Sequence, residues 1–291
     1  MSIPTMCHLI LERFSRHIPA RVPEPEQIMD DPFQTAAFME AGREDGILAF
    51  IHFYHALQIT PVVRPGDKVL DLACGPANQL AQIARLNPHA HFSGLDASIN
   101  MLTQARTTLA RQGVGNVELV AGDMSRLTDI ENAAMDCVIC TMSLHHLPDL
   151  AALSRTMSEV RRVLKPGGGF YFVDFGRLKR ASTQRFFVED QRAHQSAQFT
   201  RDYLNSLKAA FSVDELSHAL ALLGPGVVRH LTALAPFMVV FKSADRRELD
   251  TATQRLAQEL YGRMSTEQQQ RFLSFARWFR AGGYDLPCAL T

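Results

Sequence analysis

The chain has no excess of either charge: its 291 residues carry 30 Lys and Arg against 30 Asp and Glu. Without a bulk field, nucleic acid and an anionic membrane surface are not expected as partners. Cysteine is sparse, and the five present (Cys7, Cys74, Cys137, Cys140 and Cys288) are scattered and odd in number. That fits a reducing compartment better than a disulfide framework. No stretch approaches the length of a membrane span, and Glu12 and Arg13 interrupt the short apolar run near the N-terminus, so a signal-peptide core is missing. The expectation is a soluble, cytoplasmic protein. Internal repeats and low-complexity segments are absent too. Two nucleotide signatures fail: Ala77 and Leu80 stand where G-x-G-x-x-G needs its later glycines, and no G-K-[ST] follows.

What is present centres on residues 67–85, DKVLDLACGPANQLAQIAR. The pattern predicts a buried strand over Lys68–Leu72, a tight turn over 73–78 and a helix from Gln79. In an open parallel sheet the loop leaving such a strand lines the ligand crevice. Pro76 removes an N–H from any phosphate cradle, and Asp71 at the strand end would repel a pyrophosphate. A carboxylate there suits a ligand carrying an ammonium and a sulfonium, which points to S-adenosylmethionine. Strands and helices alternate from there through Lys165, the signature of a parallel α/β sheet.

These residues resemble the class I (Rossmann-like) S-adenosylmethionine-dependent methyltransferases. Asp71, Ala73, Gly75 and Ala77 match the first motif, with two of the usual glycines replaced by alanine. A second strand over 90–95 ends in Asp96, where the family places the acid that binds the ribose hydroxyls. A third, Val117–Ala121, ends in Gly122-Asp123-Met124, similar to the segment whose carboxylate accepts from the adenine amino group. A fourth, Met135–Thr141, runs into MSLHHLPD (142–149), and LKPGGG (164–169) resembles the turn before the fifth strand. The resemblance implies a seven-stranded, mostly parallel sheet closed by a reversed pair, expected at 226–234 and 237–242. It also implies cofactor contacts from Asp71, Ala73, Cys74, Gly75, Asn78, Asp96, Ala97, Met101, Gly122, Asp123, Met124, Thr141, Met142 and Ser143.

Around this core of 61–243 the sequence predicts an N-terminal helical cap (1–60), a helical insertion (177–224) and a C-terminal helical hairpin (244–291). The cap is expected to hold one helix over 5–16 and a continuous stripe over 32–59; the hairpin is a candidate homodimer surface. Methyl transfer is an in-line displacement, and a hydroxyl or ammonium acceptor needs a base. His145 and His146 follow the fourth strand and are the candidates, since imidazole titrates near neutrality. Asp174, Arg177 and Tyr54 are expected to face the acceptor. Cys137-x-x-Cys140 lies on a strand, where residues three apart face opposite ways, and the acids at strand ends serve the cofactor, so no metal is expected. The fourth strand runs into Thr141-Met142-Ser143 and not into an N-P-P-Y type sequence, which argues against nucleic acid. The leading reading is a small-molecule methyltransferase; a protein or RNA methyltransferase and a non-catalytic binding subunit stay open beside it.

Overall fold

The computed structural model describes residues 3–190 and 192–290. Met1, Ser2 and Thr291, at the ends of the expected outer segments, and Gln191, within the expected insertion, lie outside the described residues. Helix α1 (Ile3–Phe14) is followed by a strap without helix or strand (residues 15–31), then α2 (Pro32–Gly42) and α3 (Ala49–Ile59). The stripe expected to run unbroken over 32–59 is interrupted between these two helices. Gly46 makes the break: a Cβ there would lie 2.3 Å from the Ala41 carbonyl oxygen, and the turn is closed by Leu48 N–H donating to that carbonyl at 2.9 Å. Of the apolar stripe on α1 only Leu9 is buried; Met6, Ile10 and Phe14 are exposed.

The core then alternates β1 (Lys68–Leu72), α4 (Asn78–Leu86), β2 (His91–Asp96), α5 (Ile99–Arg111), β3 (Val117–Ala121), β4 (Met135–Thr141), α6 (Leu150–Val163) and β5 (Leu164–Phe175). Helices α7 (Ala181–Glu189), α8 (Ala197–Ala209) and α9 (Val213–Leu220) precede β6 (Val228–Leu231) and β7 (Met238–Lys242), and α10 (Thr251–Arg263) and α11 (Thr266–Ala281) follow. The seven strands form one sheet in the order β3-β2-β1-β4-β5-β7-β6. All neighbours are parallel except β7, which runs antiparallel to both β5 and β6. Strands are added outward in one direction from β1 to β3 and in the other from β4 on, so the switch point between β1 and β4 opens the ligand crevice at their carboxyl ends.

Strand alternation decides the two faces of the sheet. Cys137, Ile139, Tyr171 and Val173 belong to the core shared with α3, α4 and α11, whereas Val138, Cys140, Phe170 and Phe172 pack with α6 and α9. The two strand cysteines therefore face opposite layers, as their spacing requires. Helix starts follow side-chain capping: Ser98 accepts from Met101 N–H, Asp149 from Ala152 N–H, and Ser212 with Glu215 forms the expected capping box of α9. That helix yields to a 3-10 turn at Ala221. The expected strand over 226–234 is shorter, because Thr232 Oγ1 accepts from Met238 N–H at 3.1 Å and turns the chain back. Pro236 sits in that turn and its carbonyl accepts from Gly176 N–H. Among the described residues no helix is long and apolar enough to cross a membrane.

Candidate active site

One cavity of about 730 Å³ opens at the carboxyl ends of β1, β2, β4 and β5, within the size range of small-molecule sites. All fourteen residues expected to contact a cofactor line it: Asp71, Ala73, Cys74, Gly75 and Asn78 from the first turn, Asp96, Ala97 and Met101 from the second, and Gly122, Asp123, Met124, Thr141, Met142 and Ser143 from the third and fourth. Ala73, Gly75 and Ala77 all adopt left-handed φ (56°, 58° for the alanines, 55° for the glycine), so the backbone follows a glycine-type turn although two positions carry a methyl. Met142 is left-handed too, at φ 56°. Strain of this kind collects at ligand sites.

The charges at this end are deliberate in their geometry. Asp96 accepts from Gly75 N–H through Oδ2 at 2.7 Å and from Ser98 N–H through Oδ1 at 2.8 Å, which fixes its carboxylate at the tip of β2. Asp71 is buried, and its Oδ1 has no partner. Burial, then the charge of Asp96, pushes the Asp71 carboxyl well above its usual range; burial likewise raises Asp96. Two buried acids, one with an orphaned oxygen, form a place where a cationic group is missing from the balance. The residues present therefore fit a ligand bearing ammonium and sulfonium charge, and they do not fit a phosphate. Cys74 is held as a neutral thiol, raised first by burial and then by Asp71.

Next to this end lie the two histidines. His145 is buried, with its backbone N–H donating to Asp174 Oδ2 at 2.9 Å and its ring Nδ1 2.7 Å from Asp174 Oδ1. A carboxylate only accepts, so Nδ1 carries the proton and Nε2 is left for the cavity. Burial alone lowers the imidazole, but the charge and hydrogen bond of Asp174 outweigh it and raise His145 above its ordinary value. His146 is paired with Glu24 of the strap, whose carboxyl also accepts from Ser206 at 2.7 Å. Burial raises Glu24, yet the His146 contact and the neighbouring imidazoles bring it down to about 2. Glu24, His145 and His146 place ligand-type atoms within 4.8 Å of one another, although both Nδ1 atoms already have carboxylate partners.

Three expectations are corrected. Tyr54 does not line the cavity: it is fully buried, stacked on Phe279 at 5.1 Å, and its hydroxyl accepts from Gln58 at 3.2 Å. It is helix packing between α3 and α11. Arg177 is held by Glu215 at the start of α9, away from the cavity lining. Asp174 stands behind His145 and reaches the cavity only through that ring.

The sequence reading also missed residues that the fold brings in. His52 of α3 lines the cavity, is buried with Nδ1 unpartnered, and is lowered by burial to about 4, hence neutral. Phe175, Phe187, Tyr203, Phe237 and Trp278 form an aromatic end. Arg21, in the strap, donates to four carbonyls, of Ala209, Pro148, His145 and Leu147, and lies 4.0 Å over the Phe211 ring. The only signal for these was the abundance of Phe, Arg and His in the flanking segments.

Comparison with known proteins agrees with this geometry. Residues 69–168 match a family model described as a methyltransferase domain. A demethylmenaquinone methyltransferase of Listeria monocytogenes is 36% identical over 113 residues, which is 38% of this chain and 46% of that protein. An uncharacterised transposon protein of Streptomyces fradiae is 37% identical over 106 residues, covering 36% of this chain and 29% of that one. The chain thus spans about half, or less, of the length of these curated relatives. A crystal structure of a SAM-dependent methyltransferase from Aquifex aeolicus superposes with a TM-score of 0.53 at 15% identity, over 73% of this chain and 97% of that chain, and shows the shared fold. Residues 69–168 thus match a methyltransferase domain, and the seven-stranded sheet has the class I, Rossmann-like methyltransferase fold.

Proposed function

We propose that the protein transfers a methyl group from S-adenosylmethionine to a small-molecule acceptor held in the same cavity. The observation that carries this reading is the buried, half-unpartnered Asp71 carboxylate sharing one cavity with a carboxylate-anchored imidazole. S-adenosylmethionine supplies, when bound, a methyl group on a positively charged sulfur. Asp71, with Asp96 nearby, offsets the ligand's cationic groups; Asp96 takes the ribose hydroxyls, its carboxylate already oriented by two backbone N–H groups. Asp123, whose Oδ1 is fixed by Ser125 N–H at 2.7 Å, accepts from the purine amino group.

His145 accepts the acceptor's proton at Nε2, and Asp174 holds the ring in the required tautomer and stabilises the imidazolium that results. Asp174 is thus a positioning residue, not a substrate contact. His146, held by Glu24 of the strap, lines the same stretch of wall. The strap contributes Gln27, Ile28 and Met29 to the lining and so keeps water from the reacting atoms. In this reading residues 61–243 form the catalytic core, while 1–60 and 244–291 close its two ends.

Calorimetric titration with S-adenosylhomocysteine tests the proposal. Wild-type protein is expected to bind it, and Asp71→Asn to bind at least about tenfold more weakly, since a charge-assisted contact is lost. Absence of binding by the wild type, or binding of a nicotinamide dinucleotide in its place, would overturn the assignment.

A further inference from the structure

We propose that the acceptor is a planar aromatic compound bearing a phenol-type hydroxyl, seated in a slot whose specificity-determining residue is Trp278 of the C-terminal hairpin. The inference rests on the methyltransferase reading for its chemistry, but on separate residues for its geometry. Ring contacts lead without a gap from the base into the protein: His145 to Phe175 at 5.6 Å, Phe175 to Phe237 at 5.6 Å, and Phe237 to Phe187 at 4.5 Å and to Trp278 at 5.3 Å. Trp278 lies nearly parallel to both partners, at 15° to Phe237 and 28° to Phe187. Tyr203 faces Phe175 at 5.7 Å. All six rings line the cavity.

The indole is committed to presenting a face. Its Nε1–H donates to the Ala233 carbonyl at 2.7 Å, and its own backbone carbonyl accepts from Ala233 N–H at 3.3 Å, so α11 is tied to the turn between β6 and β7 on both counts. With the polar handle spent, the ring offers an apolar π surface to whatever enters. A flat ring system stacked there gains offset contact that a puckered saturated ring of the same size cannot.

The charged groups that α8 and α11 bring to this end are already partnered. Arg271 already donates to Glu267 at 2.7 Å, and Asp202 accepts from Gln198 at 3.0 Å while burial raises its carboxyl. A neutral hydroxyl next to His145 is what the slot can receive. Phenols titrate at about 10, near enough to an imidazole for proton transfer during attack, whereas alkyl hydroxyls are far weaker acids. In the step, the phenol oxygen bonds to the methyl carbon, the carbon–sulfur electron pair leaves with sulfur as a neutral thioether, and the phenolic proton passes to His145 Nε2.

Calorimetry on the full chain with two probes, 2-naphthol and its saturated counterpart decahydro-2-naphthol, tests the slot without relying on turnover. The expected result is at least about tenfold tighter binding of 2-naphthol, lost in Trp278→Leu and retained in Trp278→Phe, with S-adenosylhomocysteine affinity unchanged in both variants. The phenylalanine variant keeps the test open if the leucine variant fails to fold. Equal affinity for the two probes, or a preference that survives Trp278→Leu, would overturn the inference. Loss of S-adenosylhomocysteine binding by the wild type would instead overturn the methyltransferase reading, and the probe ratio would still decide the slot.

Discussion

The two ends of the cavity are built by different means. The acidic end is made where strands stop: the turns after β1, β2, β3 and β4 supply it in short contiguous runs, and its key acid is held by backbone N–H groups of Gly75 and Ser98. The aromatic end is made of side chains from the tip of β5, α7, α8, the lead-in to β7 and α11, spread between Phe175 and Trp278. A site assembled from strand tips keeps its geometry as long as the sheet stands. One assembled from side chains of separate helices depends on every clasp between them, and substitutions should therefore separate the two ends.

The largest separation is expected at the junction. His145→Ala removes the proton acceptor and should lower kcat by about 10²- to 10⁴-fold while S-adenosylhomocysteine still binds normally. Asp174→Asn tests the same pair through pH. Catalysis needs His145 neutral, and Asp174 raises that ring above its ordinary value, so kcat/KM should climb as pH rises through a midpoint above about 6.5. With asparagine in place, the midpoint should fall below that value, because burial then dominates, and the rate plateau should drop as well. The same pairing adds stability that is complete below the ordinary imidazole value and fades as pH rises through the raised one. A pH profile unmoved by Asp174→Asn would show that another group takes the proton.

Arg21 tests the clasp. Its guanidinium joins the loop that carries His145 to the end of α8 through four carbonyls, and it packs over Phe211. Arg21→Ala leaves those carbonyls to water and should cost about 2 to 3 kcal/mol, read from the urea midpoint. Its functional mark should be a raised KM for the acceptor with S-adenosylhomocysteine affinity changed by no more than about twofold. Equal losses at both ends would erase the distinction between them.

The same distinction explains what the sequence could reveal. Asp71, Asp96 and Asp123 were legible because each ends an apolar strand run, and strand period plus turn chemistry act over a few residues. The helix caps Ser98, Asp149 and Ser212 were legible in principle for the same reason, and the Ser212-x-x-Glu215 box was recognised. Tyr54 and His52 sit two residues apart on α3, and only packing against α11 decides that the tyrosine is sealed against Phe279 while the histidine meets the cavity. Arg177 failed likewise: its partner Glu215 lies 38 residues on, and no local pattern pairs them. The break at Gly46 is a steric fact of close approach, which an apolar stripe does not record.

A smaller effect is expected from the charge of Asp71 on the ligand-free protein. Burial and Asp96 raise its carboxyl, so the folded state resists ionisation more than the unfolded chain; stability is fully present below the ordinary value of 3.8 and is lost as pH rises through the raised one. At neutral pH the acid is therefore destabilising until a cation answers it. Asp71→Asn should raise the Tm of the free protein by about 2 °C, corresponding to roughly 1 kcal/mol, while weakening S-adenosylhomocysteine. A lower Tm would mean that the acid is already balanced without ligand.

The smallest effects come from the two alanines in the first turn, and here the sign depends on which term is larger. An L-residue in the left-handed region costs about 1 to 2 kcal/mol, which glycine relieves, while glycine adds unfolded-chain entropy worth about 0.4 to 1 kcal/mol. Ala73 is half-buried, so Ala73→Gly keeps most of the gain and should stabilise by about 0.5 kcal/mol. Ala77 is fully buried in the core beside Leu80, and its methyl contributes about a further 0.8 kcal/mol that glycine forfeits. Ala77→Gly should therefore be neutral or slightly destabilising. Both should keep S-adenosylhomocysteine affinity within about twofold, because the backbone path is already that of a glycine turn. If the urea midpoint of Ala77→Gly exceeds that of Ala73→Gly, methyl packing does not set the difference, and the acidic end is less purely a construction of backbone than its geometry indicates.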